Sequence, residues 1–287
     1  MTMKTDTTYR IKGGRIGVLL IHGLCGTPTE MRFVAHGIAR AGYTVHCPTL
    51  AGHGGTMDDI KATSWQDWMQ SAEAALDELR KECDVVICGG LSTGAVLSLM
   101  LAAEHPEKVQ GTILLAPTLW LNGWLIPWYA RLFRIISNKR LANLISFPDL
   151  EPHGIKDNRI REFIRNALFS GDGSVAGLPA TPGGAVLEHR RLVNALKRKL
   201  TGIAQPALVI HPREDDYADL KNAWYIQRKL KGMVDMVVLD DSYHIVTVDR
   251  QRHVVVERTL GFLNRLAEQV KAPARPVAPA TLRPTAA

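Results

Sequence analysis

The sequence predicts an α/β protein with a mostly parallel, doubly wound sheet and one long insertion. Three observations carry that expectation. Short apolar runs rich in β-branched residues alternate with helical patterns through the first 117 residues. The alternation returns in the last third of the chain, and between these blocks it fails, giving way to segments rich in Trp, Arg and Gly. Apolar strands without polar alternation belong in a sheet covered by helices on both faces.

The elements follow in order. Ile16 to Ile21 is the first expected strand, closing on His22 and Gly23. A helix is expected around Glu30 to Ala41, ending at Gly42, a residue suited to helix stops. Tyr43 to Cys47 reads as the second strand. Asp67 to Lys81 places Trp68, Ala72, Ala75, Leu76 and Leu79 at helical spacing. Asp84 to Cys88 is the third strand, Ala95 to Ala103 its helix, and Thr112 to Leu115 the fourth strand. Later, Ala207 to Ile210 and Met236 to Leu239 read as strands, and Leu220 to Leu230 and Val254 to Val270 as helices. Residues 1–117 and 204–270 then form the core, 118–203 an insertion into it, and 271–287, mostly Ala and Pro, a disordered tail.

Composition narrows the class. The 287 residues are 46% hydrophobic and 22% charged, which excludes a fibrous or disordered chain. Cys25, Cys47, Cys83 and Cys88 lack C-x-x-C spacing, so reduced thiols in a cytoplasmic protein are expected. Residues 1–14 lack the apolar run of a signal peptide. No formal charge falls between Lys108 and Arg131, yet Pro117, Asn122, Gly123 and Pro127 interrupt that stretch, which argues against a membrane span.

The chemistry centres on Gly90-Leu91-Ser92-Thr93-Gly94, a G-x-S-x-G between a strand and a helix. A nucleophilic serine must stand on a tight, strained turn, and glycines two residues to either side remove Cβ atoms that would strike the neighbouring strand and helix. A serine needs a base, and the base an orienting carboxylate. His244, just beyond the last strand, is the expected base. The acid is expected in Glu214-Asp215-Asp216, with Asp215 favoured and Asp216 the alternative. In His22-Gly23-Leu24-Cys25-Gly26 the glycines permit close approach to the serine, so the N–H groups of Leu24 and Thr93 are the expected oxyanion donors. Cys25 is read as a bystander.

These segments, with Gly52-His53-Gly54, Arg213-Glu214-Asp215-Asp216 and Ser242-Tyr243-His244, resemble the α/β-hydrolase superfamily. Within it, residues 20–26 and 242–249 are similar to the bacterial carboxylesterase and monoacylglycerol lipase branch. The resemblance covers about residues 15–117 and 204–268. It implies a Ser92–Asp215–His244 triad, Leu24 and Thr93 as oxyanion donors, an insertion forming a helical cap over the site, and a small-molecule ester as substrate. Two departures stand out: Thr93, where a larger or apolar residue is expected, and Tyr243, where a small one is.

Within the insertion, Trp120, Trp124 and Trp128 recur every four residues, although Gly123 and Pro127 disfavour a long helix. They are expected to pack the cap and line the acyl pocket. A sharper alternative has the rings meet lipid, with Arg131 and Arg134 beside them. The Gly- and Pro-rich run from Ser170 to Gly184 is expected to be a mobile loop. It lacks a phosphate-cradle pattern, and no dinucleotide fingerprint or metal-ligand cluster is present, so neither cofactor nor metal is expected.

The expected reaction is hydrolysis of a carboxylic ester through an acyl-enzyme. An acyl thioesterase acting on acyl-CoA or acyl-carrier protein is the alternative within enzymes, and a non-catalytic binding protein on the same fold the alternative outside them. The formal charge of +7 does not indicate nucleic acid, since no recognised binding module is present. Residues 118–205 hold 13 Lys or Arg against 6 Asp or Glu, and the remainder is balanced. The excess therefore belongs to the insertion, where it suits an anionic substrate, carrier or membrane surface.

Overall fold

The computed structural model describes residues 6–170 and 177–271. Its main sheet has seven strands: β1 (Tyr9–Ile11), β2 (Ile16–Ile21), β3 (Thr44–Cys47), β4 (Val85–Leu91), β5 (Gly111–Leu115), β8 (Ala207–Pro212) and β9 (Val234–Leu239). Their spatial order is β1-β3-β2-β4-β5-β8-β9, with β1 antiparallel and every other pairing parallel. Strands β6 (Ser146–Pro148) and β7 (Ala180–Pro182) form a separate antiparallel pair inside the insertion. The doubly wound expectation therefore holds, with two additions. The polar edge strand β1 is too short to show in a hydrophobic pattern, and the insertion carries its own small hairpin.

Nine helices are described: α1 (Arg32–Arg40), α2 (Met57–Ala62), α3 (Trp65–Arg80), α4 (Thr93–Glu104), α5 (Lys139–Ala142), α6 (Asn158–Ser170), α7 (Gly183–Lys197), α8 (Lys221–Lys229) and α9 (Arg252–Lys271). Local chemistry fixes their starts. Ser64 caps α3 and Asp67 returns a bond to the Ser64 N–H, a reciprocal box that also starts α2 through Thr56 and Asp59. The helix expected from Glu30 opens as a 3₁₀ turn over Pro28–Met31 before α1 begins.

Alternation along β2 sorts the core into two layers. Leu19 and Ile21 face a cluster built with α3, α4, α7 and α8, including Trp68, Leu76, Val96, Leu192 and Ile226. Val18 and Leu20 face α1 and α9 through Val34, Ile38, Val255 and Phe262. Each such buried side chain contributes about 1.5–3 kcal/mol. Helix α7 lies in the insertion by sequence, yet Leu192, Val193 and Leu196 seat it in the core layer against α4.

The tryptophans do not share a helical face, because no helix spans 118–127. Trp120 packs edge-on to Tyr225 at 5.0 Å under the Lys197 ammonium. Trp124 meets Tyr243 at 5.6 Å, and Trp128 stands exposed in a 3₁₀ segment, Trp128–Ile135. Residues 171–176 of the Gly- and Pro-rich run and all but the first residue of the expected tail lie outside the described residues. Residues 180–184, expected as mobile loop, instead form β7 and the start of α7, where strand pairing with β6 gives the segment regular structure. Among the described residues, no helix is long and apolar enough to cross a membrane.

Candidate active site

After the edge strand β1, the chain runs through β2, moves out to β3, and reverses to β4 on the other side of β2. That reversal opens a crevice at the carboxyl ends of β2 and β4, where ligands bind in open α/β sheets. The loop after β2 and the turn after β4 face each other across it.

Ser92 occupies that turn with φ 55° and ψ −110°, a left-handed backbone costly for a non-glycine residue. The flanking glycines make the turn possible. A Cβ on Gly90 would stand 2.5 Å from the Ile21 carbonyl oxygen, and one on Gly94 would overlap the same atom. The Ser92 hydroxyl rests 3.1 Å from Thr118 Oγ1, whose own hydroxyl donates to the Ala116 carbonyl. Thr93 opens α4, so its N–H has no intrahelical acceptor.

His244 Nδ1 lies 2.8 and 3.0 Å from the two carboxylate oxygens of Asp215. Asp215 is itself held by the N–H groups of Tyr217 and Ala218. Asp216 faces elsewhere, accepting from the backbone N–H groups of His244 and Gly154. Of the two adjacent carboxylates, only Asp215 meets the imidazole. Burial by itself would push the His244 imidazole down. The Asp215 charge and hydrogen bond, with Asp216 and Glu30 adding, hold it above the ordinary histidine value. Burial likewise opposes ionisation of Asp215, but the same histidine keeps it below the usual carboxylate range. Asp216 is raised to about 6, chiefly by burial.

In the loop after β2, Gly23 approaches closely enough that its Cβ would stand 3.7 Å from Ser92 Cβ. The Gly23 N–H donates to Glu30, and the Gly26 N–H donates to the Gly23 carbonyl. Among the described residues, no hydrogen-bond acceptor is recorded for the N–H groups of Leu24 or Thr93. His22 braces the loop from below, donating from Nδ1 to the Gly23 carbonyl while Nε2 accepts from Leu50 N–H. Burial drops its pKa to about 3, so it stays neutral. The Cys25 thiol is buried and pushed up to about 12, which removes thiolate chemistry.

Four further residues surround the site, of which only Asp249 falls within a segment that carried the resemblance. Glu30 sits beneath the loop with its carboxyl raised to about 7, mainly by burial. Thr118 holds the serine hydroxyl. His189, from α7, bonds Thr93 Oγ1 at 3.0 Å and stays neutral, since burial drops it to about 4. Asp249 accepts from the N–H groups of Tyr243, Lys156, Asp157 and Arg250, and so ties the His244 loop to the insertion. Sequence proximity hints at Asp249 alone, five residues after His244; the others arrive by tertiary packing. Away from the crevice, Glu73, Glu104 and His105 bring potential metal-ligand atoms within 4.8 Å of one another, but His105 bonds Glu73 and Lys199 pairs with Glu104.

A serine on a strained strand-to-helix turn at the switch point of this sheet, with His and Asp on later strand ends, defines an α/β-hydrolase. The chain belongs to the serine aminopeptidase S33 family, whose model matches residues 15–251. It is 30% identical over 260 residues to the thermostable monoacylglycerol lipase of Bacillus sp. strain H-257, covering 90% of this chain and 94% of that one. It is 24% identical to a carboxylesterase of Bacillus subtilis strain 168, covering 93% and 99%. A solved structure described with LipS and LipT, two metagenome-derived lipolytic enzymes, superposes with a TM-score of 0.74 at 30% identity, covering 90% and 97%. A soluble variant of Saccharomyces cerevisiae monoglyceride lipase, solved with a substrate analogue, shares the fold at a TM-score of 0.75 and 16% identity, covering 91% of each chain. The protein is thus a hydrolase of the esterase and monoacylglycerol lipase type.

Proposed function

We propose that the protein hydrolyses carboxylic esters of the monoacylglycerol class through Ser92, His244 and Asp215. The observation that carries this reading is the Asp215–His244 contact at 2.8 Å, in a chain whose Ser92 stands on a strained turn at the end of β4. The Ser92 hydroxyl turns from Thr118 to His244 Nε2 and attacks the ester carbonyl as the imidazole takes its proton. Asp215 fixes the Nδ1–H tautomer and stabilises the imidazolium. The N–H groups of Leu24 and Thr93 receive the oxyanion, where a single donor is worth about 10²–10³ in rate. The imidazolium protonates the leaving alcohol. Water deprotonated by His244 then releases the acid.

Trp120, packed between Tyr225 and Lys197, stiffens the start of the insertion rather than lining the acyl site. Trp124 and Trp128 suit a lipid or other anionic surface, because they are exposed on the basic segment. Four buried free thiols fit a cytoplasmic setting. The test is hydrolysis of short p-nitrophenyl esters and monoacylglycerols by Ser92→Ala. A loss of about four orders of magnitude or more is expected. Turnover at the wild-type rate would remove the serine from the mechanism. Faster turnover of an acyl-CoA than of the matching glycerol ester would move the substrate class to thioesters.

A further inference from the structure

Beside the crevice, a cavity of about 470 Å³ runs between α1, α6 and the start of α9. Its volume falls within the range of small-molecule sites. We propose that it binds a long-chain fatty-acid anion, the chain on its apolar walls and the carboxylate on the arginines of α1 and α9.

The walls are aliphatic and aromatic: Phe33 from α1, Ile160 and Ile164 from α6, and Ile155, Ile245 and Val248 from the adjoining loops. One edge is basic. Arg32, His36 and Arg40 recur every fourth residue along α1, so they share one side of the helix, and Arg252 joins them from α9. From Arg32 to Arg40 that edge is about 12 Å long, which suits an extended chain better than a compact ligand.

These guanidinium groups lack carboxylate partners among the described residues. Arg32 lies 5.8 Å from the centre of the Tyr9 ring. Arg252 lies 5.0 Å from that of Phe33 and donates to the Val248 carbonyl. Arg40 makes no ion pair among the described residues. Elsewhere on the surface arginines are matched, as in Arg213 with Asp240 and Arg250 with Asp241. Glu30 is the only acid among the described lining residues, and its carboxyl is turned toward the Gly23 N–H. Apolar walls select a hydrocarbon chain, and unmatched arginines select an anionic head. The inference stands on the groove and not on the esterase mechanism.

Isothermal titration of full-length Ser92→Ala protein with monomeric dodecanoate tests it, since that variant separates binding from turnover. Saturable binding is expected, with dodecanol at least tenfold weaker. Arg40→Glu should weaken dodecanoate at least tenfold and leave dodecanol unchanged, while Lys231→Glu, an exposed charge off the groove, should change neither. Equal thermal midpoints across the variants would show that the fold is intact. Absence of saturable binding, or undiminished dodecanoate affinity in Arg40→Glu, would overturn the proposal. So would association with anionic vesicles by a protein that ignores the monomer. Retained hydrolysis by Ser92→Ala would overturn the esterase mechanism alone and leave the groove result standing.

Discussion

Glu30 places a third acidic group, after Asp215 and Asp216, within electrostatic reach of the His244 imidazole, and its protonation has consequences of its own. Its folded value of about 7 lies above the ordinary 4.5. Between those two values the folded state binds more protons than the unfolded state, so stability falls as pH rises through that window. Glu30→Gln keeps an acceptor for the Gly23 N–H but cannot ionise. We predict that it raises the free energy of unfolding by about 2–3 kcal/mol at pH 8 and changes it little at pH 4.5. Urea unfolding at both values checks this, and an equal effect at each would contradict it. His244 gives a prediction of opposite sign. Its folded value is raised and it must be neutral to act as base, so kcat/KM should climb with pH to a midpoint above 6.5. In Asp215→Asn the residual activity should have a lower midpoint, because the partner charge is gone; a profile with the wild-type midpoint would deny that coupling.

A side-chain bond from Thr93 Oγ1 to His189 Nδ1 joins helix α7 to the nucleophile turn. Thr93→Val keeps the shape and leaves a buried imidazole nitrogen without its partner, at a cost of about 1–3 kcal/mol. With the Thr93 N–H proposed as an oxyanion donor, we expect kcat to fall about tenfold with KM nearly constant, and Thr93→Ser to restore it. A fall confined to KM would assign the bond to substrate binding instead. Helix α7 also shows where sequence patterns lose force. Strands β2, β4 and β8 are legible because both sheet faces are covered, which demands unbroken apolar runs, and α3 because one face alone is buried. In α7 the buried face includes Glu188 and His189, so polar residues stand where the helical pattern calls for apolar ones. The same logic divides the site. Ser92, Asp215 and His244 sit just past strand ends, where chain order locates them. Glu30 and His189 reach the crevice only once separate layers have packed, while Thr118, three residues past β5, sits at a strand end but carries no motif to mark it.

At the scale of the whole molecule, the charge and the exposed apolar surface coincide. The excess of 13 basic over 6 acidic residues in 118–205 lies on the segment that also exposes Trp128 at 76% and Ile135 at 83%. Apolar rings among basic side chains fit the boundary between water and an anionic lipid headgroup layer. We predict that the protein floats with vesicles containing anionic lipid, that Trp124→Ala with Trp128→Ala weakens this severalfold, and that salt weakens it further. Flotation indifferent to both would contradict the reading.

Asp249 and Asp216 also impose an order on the making of the molecule. The amides of Gly154, Lys156 and Asp157 find their acceptors on residues 62, 93 and 92 positions later in the chain. At ribosomal speeds of about 5–20 residues per second, that is an interval of about 5–20 seconds for the last of them. Throughout it these three amides of the insertion are already synthesised but lack their acceptors. These two carboxylates therefore act as a late clasp, tying residues 154–157 to the Asp216 and His244 loops only after those loops have been made.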